Sequence, residues 1–132
     1  MNVSFKGQQI LIAEDDDINF QYLINIFIAF DLCIIRARNG KEALEMGIAN
    51  PFIKIILMDI MMPIMDGLES TQLLRQHNIN VPIIAQTANA FESDRDKCLK
   101  AGCNDYISKP STPEELIRIV KNYLAYTIAK SH

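Results

Sequence analysis

Two histidines, His77 and His132, and three cysteines, Cys33, Cys98 and Cys103, with no C-x-x-C among them, are too few and too scattered for a zinc site. An odd set of thiols without a pairing pattern reads as buried, reduced and inert, which makes a cytoplasmic setting the expectation. No apolar run reaches the ~18 residues that cross a bilayer, so no membrane insertion is expected. Met1 to Gly7 carries one lysine and no apolar stretch, so no secretory leader is evident. Basic residues are outnumbered 13 to 16, giving a net charge of −3, which argues against direct nucleic-acid binding. What is abundant is apolar: hydrophobic residues make up 49% of 132, enough for a true core and against a disordered tail.

The apolar residues come in short runs: Ile10–Ala13, Cys33–Ile35, Ile53–Met58, Ile83–Ala85 and Tyr106–Ile107. Bounded runs of this length predict strands buried on both faces. Stretches of helical length lie between them. Ile18 to Phe30 places Leu23, Ile26, Phe27 and Phe30 on one face. Gly40 to Ile48 turns Ala43, Leu44 and Ile48 inward. The helix after Asp66-Gly67 carries Leu68, Leu73 and Leu74. The next, about Ala90 to Lys100, has a weak stripe of Phe91, Cys98 and Leu99. The last opens with Ser111-Thr112-Pro113-Glu114-Glu115, a cap followed by proline and acids, and aligns Leu116, Ile119, Val120, Tyr123 and Leu124.

Five strands alternating with five helices predict an α/β fold with a parallel sheet, doubly wound, flavodoxin-like, (βα)5, of strand order 2-1-3-4-5. No linker, repeat or second domain is visible, so residues 1–132 read as one domain with its core at about 7–125. Tyr126 to His132 reads as a frayed helix end or the start of a severed connection. In that topology the first and third strands flank the switch point. Glu14-Asp15-Asp16-Asp17 ends the first and Asp59 ends the third, so two acidic groups meet at one rim. The fourth and fifth strands deliver Thr87 and Lys109 to the same rim. Carboxylates, a hydroxyl and an ammonium together fit a hard cation such as Mg²⁺ and phosphoryl chemistry. Alone, each would read as a cap, a strand-end hydroxyl or a surface charge; their convergence carries the assignment.

With these pieces in order, the chain resembles the receiver domain of two-component response regulators. The matching segments are Ile10-Leu11-Ile12-Ala13-Glu14-Asp15-Asp16, Leu57-Met58-Asp59 through Pro63-Ile64-Met65-Asp66-Gly67, Thr87-Ala88 and Lys109-Pro110, with Ala37-Arg38-Asn39-Gly40 and Ala101-Gly102 between them. The stretch from Thr87 to Gly102 is most similar to receivers at the C-terminus of hybrid sensor histidine kinases. The resemblance implies that Asp59 takes a phosphoryl group from a partner phosphohistidine. It implies that Asp15, Asp59 and the Met61 carbonyl ligate Mg²⁺, with Mn²⁺ as a substitute, and that Glu14 holds a metal-bound water. Asp16 and Asp17 remain solvated caps. Lys109 would pair with Asp59 and then with the phosphoryl group, and the Lys109–Pro110 bond would be cis. Thr87 would bind the phosphoryl group and Tyr106 would be the aromatic of the switch. Met61 and Asn89 would flank the phosphoryl group and set its lifetime.

The partner implied is a histidine kinase dimerisation domain or a histidine phosphotransfer domain. It would dock on the first helix at Ile18 and Tyr22, because Ile18, Ile24 and Ile28 fall away from the core stripe at ~100° per residue. Such a domain catalyses its own phosphorylation and dephosphorylation and is no metabolic enzyme. It would sit in the cytoplasm, free or tethered through a longer parent protein; oligomeric state is not set by the sequence. The alternative is a Mg²⁺-dependent phosphatase or phosphotransferase with an aspartyl nucleophile. Those enzymes commonly place a second Asp two residues on, where this chain has Met61.

Overall fold

Strands and helices alternate through the computed structural model, which describes residues 3–88, 92–124 and 127–128. In chain order they are β1 (Gln9–Ala13), α1 (Asp17–Phe27), β2 (Cys33–Ala37), α2 (Gly40–Ala49), β3 (Ile53–Asp59), α3 (Gly67–Gln76), β4 (Ile83–Thr87), α4 (Glu92–Ala101), β5 (Asp105–Ser108) and α5 (Pro113–Tyr123). The five strands are parallel and lie in the order β2-β1-β3-β4-β5, the predicted 2-1-3-4-5. The chain reverses its direction of winding between β1 and β3, where α/β sheets open a crevice at the strand ends.

Why the strands are unbroken apolar runs is visible in their burial. Ile10, Leu11, Ile12, Ile55, Ile56, Leu57 and Met58 are all fully buried, because helices cover both faces of the sheet. Alternate residues supply two separate cores. Ile10, Ile12, Ile55, Leu57 and Ile84 pack against Leu23 and Phe27 of α1 and Leu116 and Val120 of α5. Leu11, Ile56, Met58, Ile83 and Ala85 pack against Ala43 of α2, Leu74 of α3 and Cys98 of α4. Each buried Ile, Leu, Phe or Met among them contributes about 1.5–3 kcal/mol by leaving water. Polar caps start the helices: Asp16 accepts from the Ile18 amide, Asn39 from Glu42, Asp66 from Glu69 and Thr112 from Glu115. Each cap adds about 1 kcal/mol.

Several sequence expectations need correcting. α1 stops at Phe27; Ile28–Phe30 is a single 3₁₀ turn, closed by Asp31 at φ 57. Ile48 is not inward but 44% exposed. Gly47 takes the inward place because α2 and α3 approach so closely that a Cβ there would lie 2.6 Å from Leu74 Cδ2. On α3 the buried neighbours of Leu74 are Ser70 and Thr71, whose hydroxyls donate to the Gly40 and Gly67 carbonyls. On α4 Cys98 is buried as expected, whereas Leu99 is 42% exposed; Phe91 and Asn89 lie outside the described residues. Cys98 and Cys103 are buried, but Cys33, at the start of the outermost strand β2, is exposed. Of the expected tail Tyr126 to His132, only Thr127–Ile128 lies within the described residues. Thr127–Ile128 forms a short antiparallel pair with Val3–Ser4, and Phe5 inserts into the α1/α5 core against Phe30, ahead of the expected core limit.

Candidate functional site

The register of the sheet builds the site. Ala13 pairs with Met58, so the next residues on the two strands, Glu14 and Asp59, stand side by side at the carboxyl rim. Asp59 is the last residue of β3 rather than the first beyond it, and pairs with Gln86. Its carboxylate is buried, and Oδ1 accepts from the Met61 amide at 3.0 Å. Gly67 sets the loop beyond: a Cβ there would fall 2.2 Å from the Asp59 carbonyl oxygen, so no other residue lets α3 start so close. Thr87 is buried at the end of β4, and its carbonyl accepts from the Lys109 amide at 2.7 Å. The Lys109–Pro110 bond is cis.

Lys109 joins the two acids. Its Nζ lies 2.8 Å from Glu14 Oε1 and 2.9 Å from Asp59 Oδ2. Glu14, only 1% exposed, also accepts from Asn19 Nδ2 and from the Asp16 amide at 3.2 Å. Asp15 is exposed, yet carboxylate oxygens of Glu14, Asp15 and Asp59 all lie within 4.8 Å of one another. An all-oxygen donor set of this kind suits a hard divalent cation.

The two buried carboxyls respond oppositely. Burial pushes Asp59 up to about 6, aided by the neighbouring Glu14 charge and opposed by the Lys109 and Met61 hydrogen bonds. Burial acts on Glu14 as well, but the added donors, Lys109 and Asn19 first, hold it below the usual carboxylate range. Burial disfavours the Lys109 ammonium, but its two carboxylate partners outweigh that and raise it. Lys109 is therefore charged, and of the two acids Asp59 keeps its proton to higher pH.

The remaining predicted residues fall around this rim. The Met61 side chain is exposed, and its amide is held by Asp59. Asp16 caps α1, and Asp17 opens it, bonded to Arg36 and Arg38. Tyr106 is half-buried on β5, opposite Ala85, with the Arg95 guanidinium 5.8 Å from its ring centre. Ile18 is 83% exposed and Tyr22 partly so, its hydroxyl donating to the Ser111 carbonyl at 2.6 Å. A cleft of about 390 Å³ opens there, with Ile18, Tyr22 and Leu23 on one side and Pro110, Ser111 and Leu116 on the other. Of the other two isoleucines expected to face away from the core, Ile28 is exposed and Ile24 half-buried. The sequence reading missed Asn19 and Arg36. Asn19 stands one turn into α1 from the acidic cluster. Arg36 is a charge inside an apolar strand, Cys33-Ile34-Ile35-Arg36-Ala37, and that anomaly was its signal.

A doubly wound sheet with three carboxylates and an ammonium at its switch point is a flavodoxin-like arrangement whose donor set suits a hard cation and phosphoryl oxygens. Residues 10–121 match the response regulator receiver domain, and the chain belongs to that family, the receiver domains of two-component signalling. It is 37% identical over 135 residues to hybrid signal transduction histidine kinase I of Dictyostelium discoideum, covering 94% of this chain but 8% of that protein. It is 35% identical to the polar-differentiation response regulator DivK of Brucella anthropi, over 89% of this chain and 96% of that one. Among solved structures, the receiver domain of the sensor histidine kinase PA1611 from Pseudomonas aeruginosa superposes with a TM-score of 0.81 at 35% identity, covering 89% of this chain and 97% of that one. That structure holds a magnesium ion in its active-site cleft. The receiver domain of the Saccharomyces cerevisiae regulator Ssk1, solved with the histidine phosphotransfer protein Ypd1, gives 0.84 at 27% identity, covering 90% of each chain. Among the described residues no helix is long and apolar enough to cross a membrane.

Proposed function

We propose that residues 1–132 form one receiver domain in which Asp59 accepts a phosphoryl group from a partner phosphohistidine. The observation that carries the reading is the convergence of Glu14, Asp15, Asp59 and Lys109 within one small volume at the switch point. Asp59 Oδ2 attacks phosphorus as the P–N bond to the histidine breaks, leaving an aspartyl phosphate and a free imidazole. Lys109 stays charged through the step and passes from the Asp59 carboxylate to the incoming phosphoryl oxygens. Thr87, at the end of β4, supplies a hydroxyl to the same oxygens. Its shift lets Tyr106 turn and alters the face made by α4, β5 and α5.

Asp15, Asp59 and the Met61 carbonyl are the proposed ligands of Mg²⁺, with Glu14 behind them and Mn²⁺ as a substitute. The magnesium found in the PA1611 receiver supports this. The bound cation supplies charge neutralisation for attacking carboxylate and phosphoryl group alike. The donor is proposed to be a histidine kinase dimerisation domain or a histidine phosphotransfer domain, as in the complex of Ssk1 with Ypd1, docked on Ile18 and Tyr22 beside the cleft. A cytoplasmic location follows from such a donor and accords with the free cysteines. Incubation with acetyl phosphate and Mg²⁺, followed by peptide mapping, tests the reading. Label confined to Asp59 and lost in Asp59→Asn is expected; cation-dependent labelling that persists in that variant rejects it.

A further inference from the structure

The loop that carries the acids is pinned at both ends by one side chain on the adjacent strand. Arg36, the fourth residue of β2, donates through Nε and a terminal nitrogen to the Glu14 carbonyl oxygen, at 3.1 and 3.0 Å. Its other terminal nitrogen lies 2.8 Å from Asp17 Oδ1. The guanidinium lies 4.3 Å from the centre of the Phe20 ring, and the side chain is only 15% exposed. One planar fork thus holds the backbone at Glu14, the carboxylate at Asp17 and a ring of α1. The Glu14 amide is also fixed, donating to the Ala37 carbonyl at 2.9 Å.

Between the pinned ends, Asp16 is committed as the cap of α1, and its amide donates to the Glu14 carboxylate. Glu14 is held by Lys109 and Asn19. Among the described residues, Asp15 alone of the four acids has a carboxylate engaged by no hydrogen bond or ion pair, and it stands with Glu14 and Asp59 in the cation-sized cluster. The direction in which Asp15 projects is therefore set by the Glu14–Asp15 peptide plane, which Arg36 holds at its carbonyl, and by the Asp15–Asp16 plane, whose amide the Glu14 carboxylate holds. A guanidinium suits this place. Its fixed fork reaches a carbonyl and a carboxylate at once, which the point charge of a lysine cannot do.

We propose that Arg36 is a positioning residue for the cation site, fixing the Glu14–Asp17 backbone so that the Asp15 carboxylate is presented beside Asp59. The inference rests on the cation-site reading above, and it makes a prediction opposite in sign to simple electrostatics. Removing a positive charge near a cation site strengthens cation binding if charge alone matters. Loss of positioning weakens it, typically by about 10–100-fold when a residue orienting the ligands is removed.

The test titrates Mn²⁺, read by its electron paramagnetic resonance, into the wild type, Arg36→Met, Arg36→Lys and Arg38→Met. Arg36→Met keeps an apolar stem over Phe20; Arg38→Met removes a charge that reaches Asp17 but not Glu14. Weaker binding in Arg36→Met by about tenfold or more, partial recovery in Arg36→Lys, and unchanged or tighter binding in Arg38→Met are expected. Wild-type or tighter affinity in Arg36→Met overturns the proposal. If that variant does not fold, Arg36→Lys decides: weaker binding supports the proposal and wild-type affinity overturns it. Amide exchange without cation gives a second readout. Faster exchange at Asp15 to Ile18 in the folded Arg36 variants is expected, and unchanged exchange counts against the proposal even if the wild type takes no Mn²⁺, an outcome that would itself defeat the cation-site reading.

Discussion

Glu14 and Asp59 end adjacent strands, share the ammonium of Lys109 at 2.8 and 2.9 Å, and are shifted in opposite directions by that shared environment. The asymmetry has a measurable consequence for stability. Asp59 is pushed from an ordinary 3.8 up to about 6, so the folded state binds its proton more tightly than the unfolded chain does. Stability linked to Asp59 is present at low pH, falls as pH rises from about 4 to about 6, and is absent above that. Glu14 runs the other way. Its contribution is present above its ordinary 4.5 and is lost as pH falls through its lowered folded value. Asp59→Asn removes the first linkage and leaves the second. Thermal melts in EDTA should show the variant gaining on the wild type between pH 4.5 and 7, by a few degrees, about 3 °C for each kcal/mol. A difference that stays constant across that range rejects the assigned shift.

Asp15→Ala should bind Mg²⁺ far more weakly than the wild type, by more than the roughly 10–100-fold seen when only a supporting residue is lost. Without cation the same change relieves repulsion in the cluster and should raise the melting temperature by a degree or two, on the order of 0.5 kcal/mol at this exposed position. Calorimetric titration and melts in EDTA measure both. Unchanged Mg²⁺ affinity contradicts the proposed ligand set.

The cysteines should separate cleanly by reactivity. Burial pushes Cys103 up to about 11 and raises Cys98 as well, and neither is accessible, whereas Cys33 is exposed. Native protein treated with iodoacetamide at pH 8 should carry a single adduct, at Cys33, with all three modified only after denaturation. Labelling of Cys98 or Cys103 at a rate like that of Cys33 would show that the core around α3 and α4 opens readily.

Ile18→Glu should slow phosphoryl transfer from a cognate phosphohistidine donor by about fivefold or more, since an apolar anchor residue at an interface centre is worth over about 1 kcal/mol. Labelling by acetyl phosphate should not change, because Ile18 is exposed on α1 and makes no contact in the carboxylate cluster. Equal effects on both donors, or none on either, defeats the docking assignment.

The strand order and the meeting of Glu14 with Asp59 were legible in the sequence because bounded apolar runs followed by acids have few other structural explanations. The errors have a common origin in packing between elements. Ile48 and Leu99 have helical spacing suited to burial, but Gly47 and Cys98 occupy the inward places, and which one faces in depends on how closely α2 meets α3 and where α4 lies. Cys33 is apolar in type yet exposed because it starts the edge strand. Ser70 and Thr71 escape any hydrophobic pattern because what makes their burial tolerable is hydrogen bonding to helix carbonyls. Lys109 was expected to pair with Asp59 and then with the phosphoryl group; its second bond, to Glu14, depends on a side-chain reach that spacing does not encode.

The proposed acceptor carboxylate, Asp59, belongs to a strand, not to a loop, and this bears on how a signal would leave the site. Beyond Asp59, the Ile60 amide donates to the Gln86 carbonyl, and the Lys109 amide donates to the Thr87 carbonyl. Three neighbouring strands are thus laced together at their tips, immediately beneath the charge that a phosphoryl group would add. If Asp59 is the acceptor, as proposed, the residues laced to its strand tip are Gln86, Thr87 and Lys109, so the first neighbours to feel the new charge lie on β4 and at the end of β5 rather than along β3.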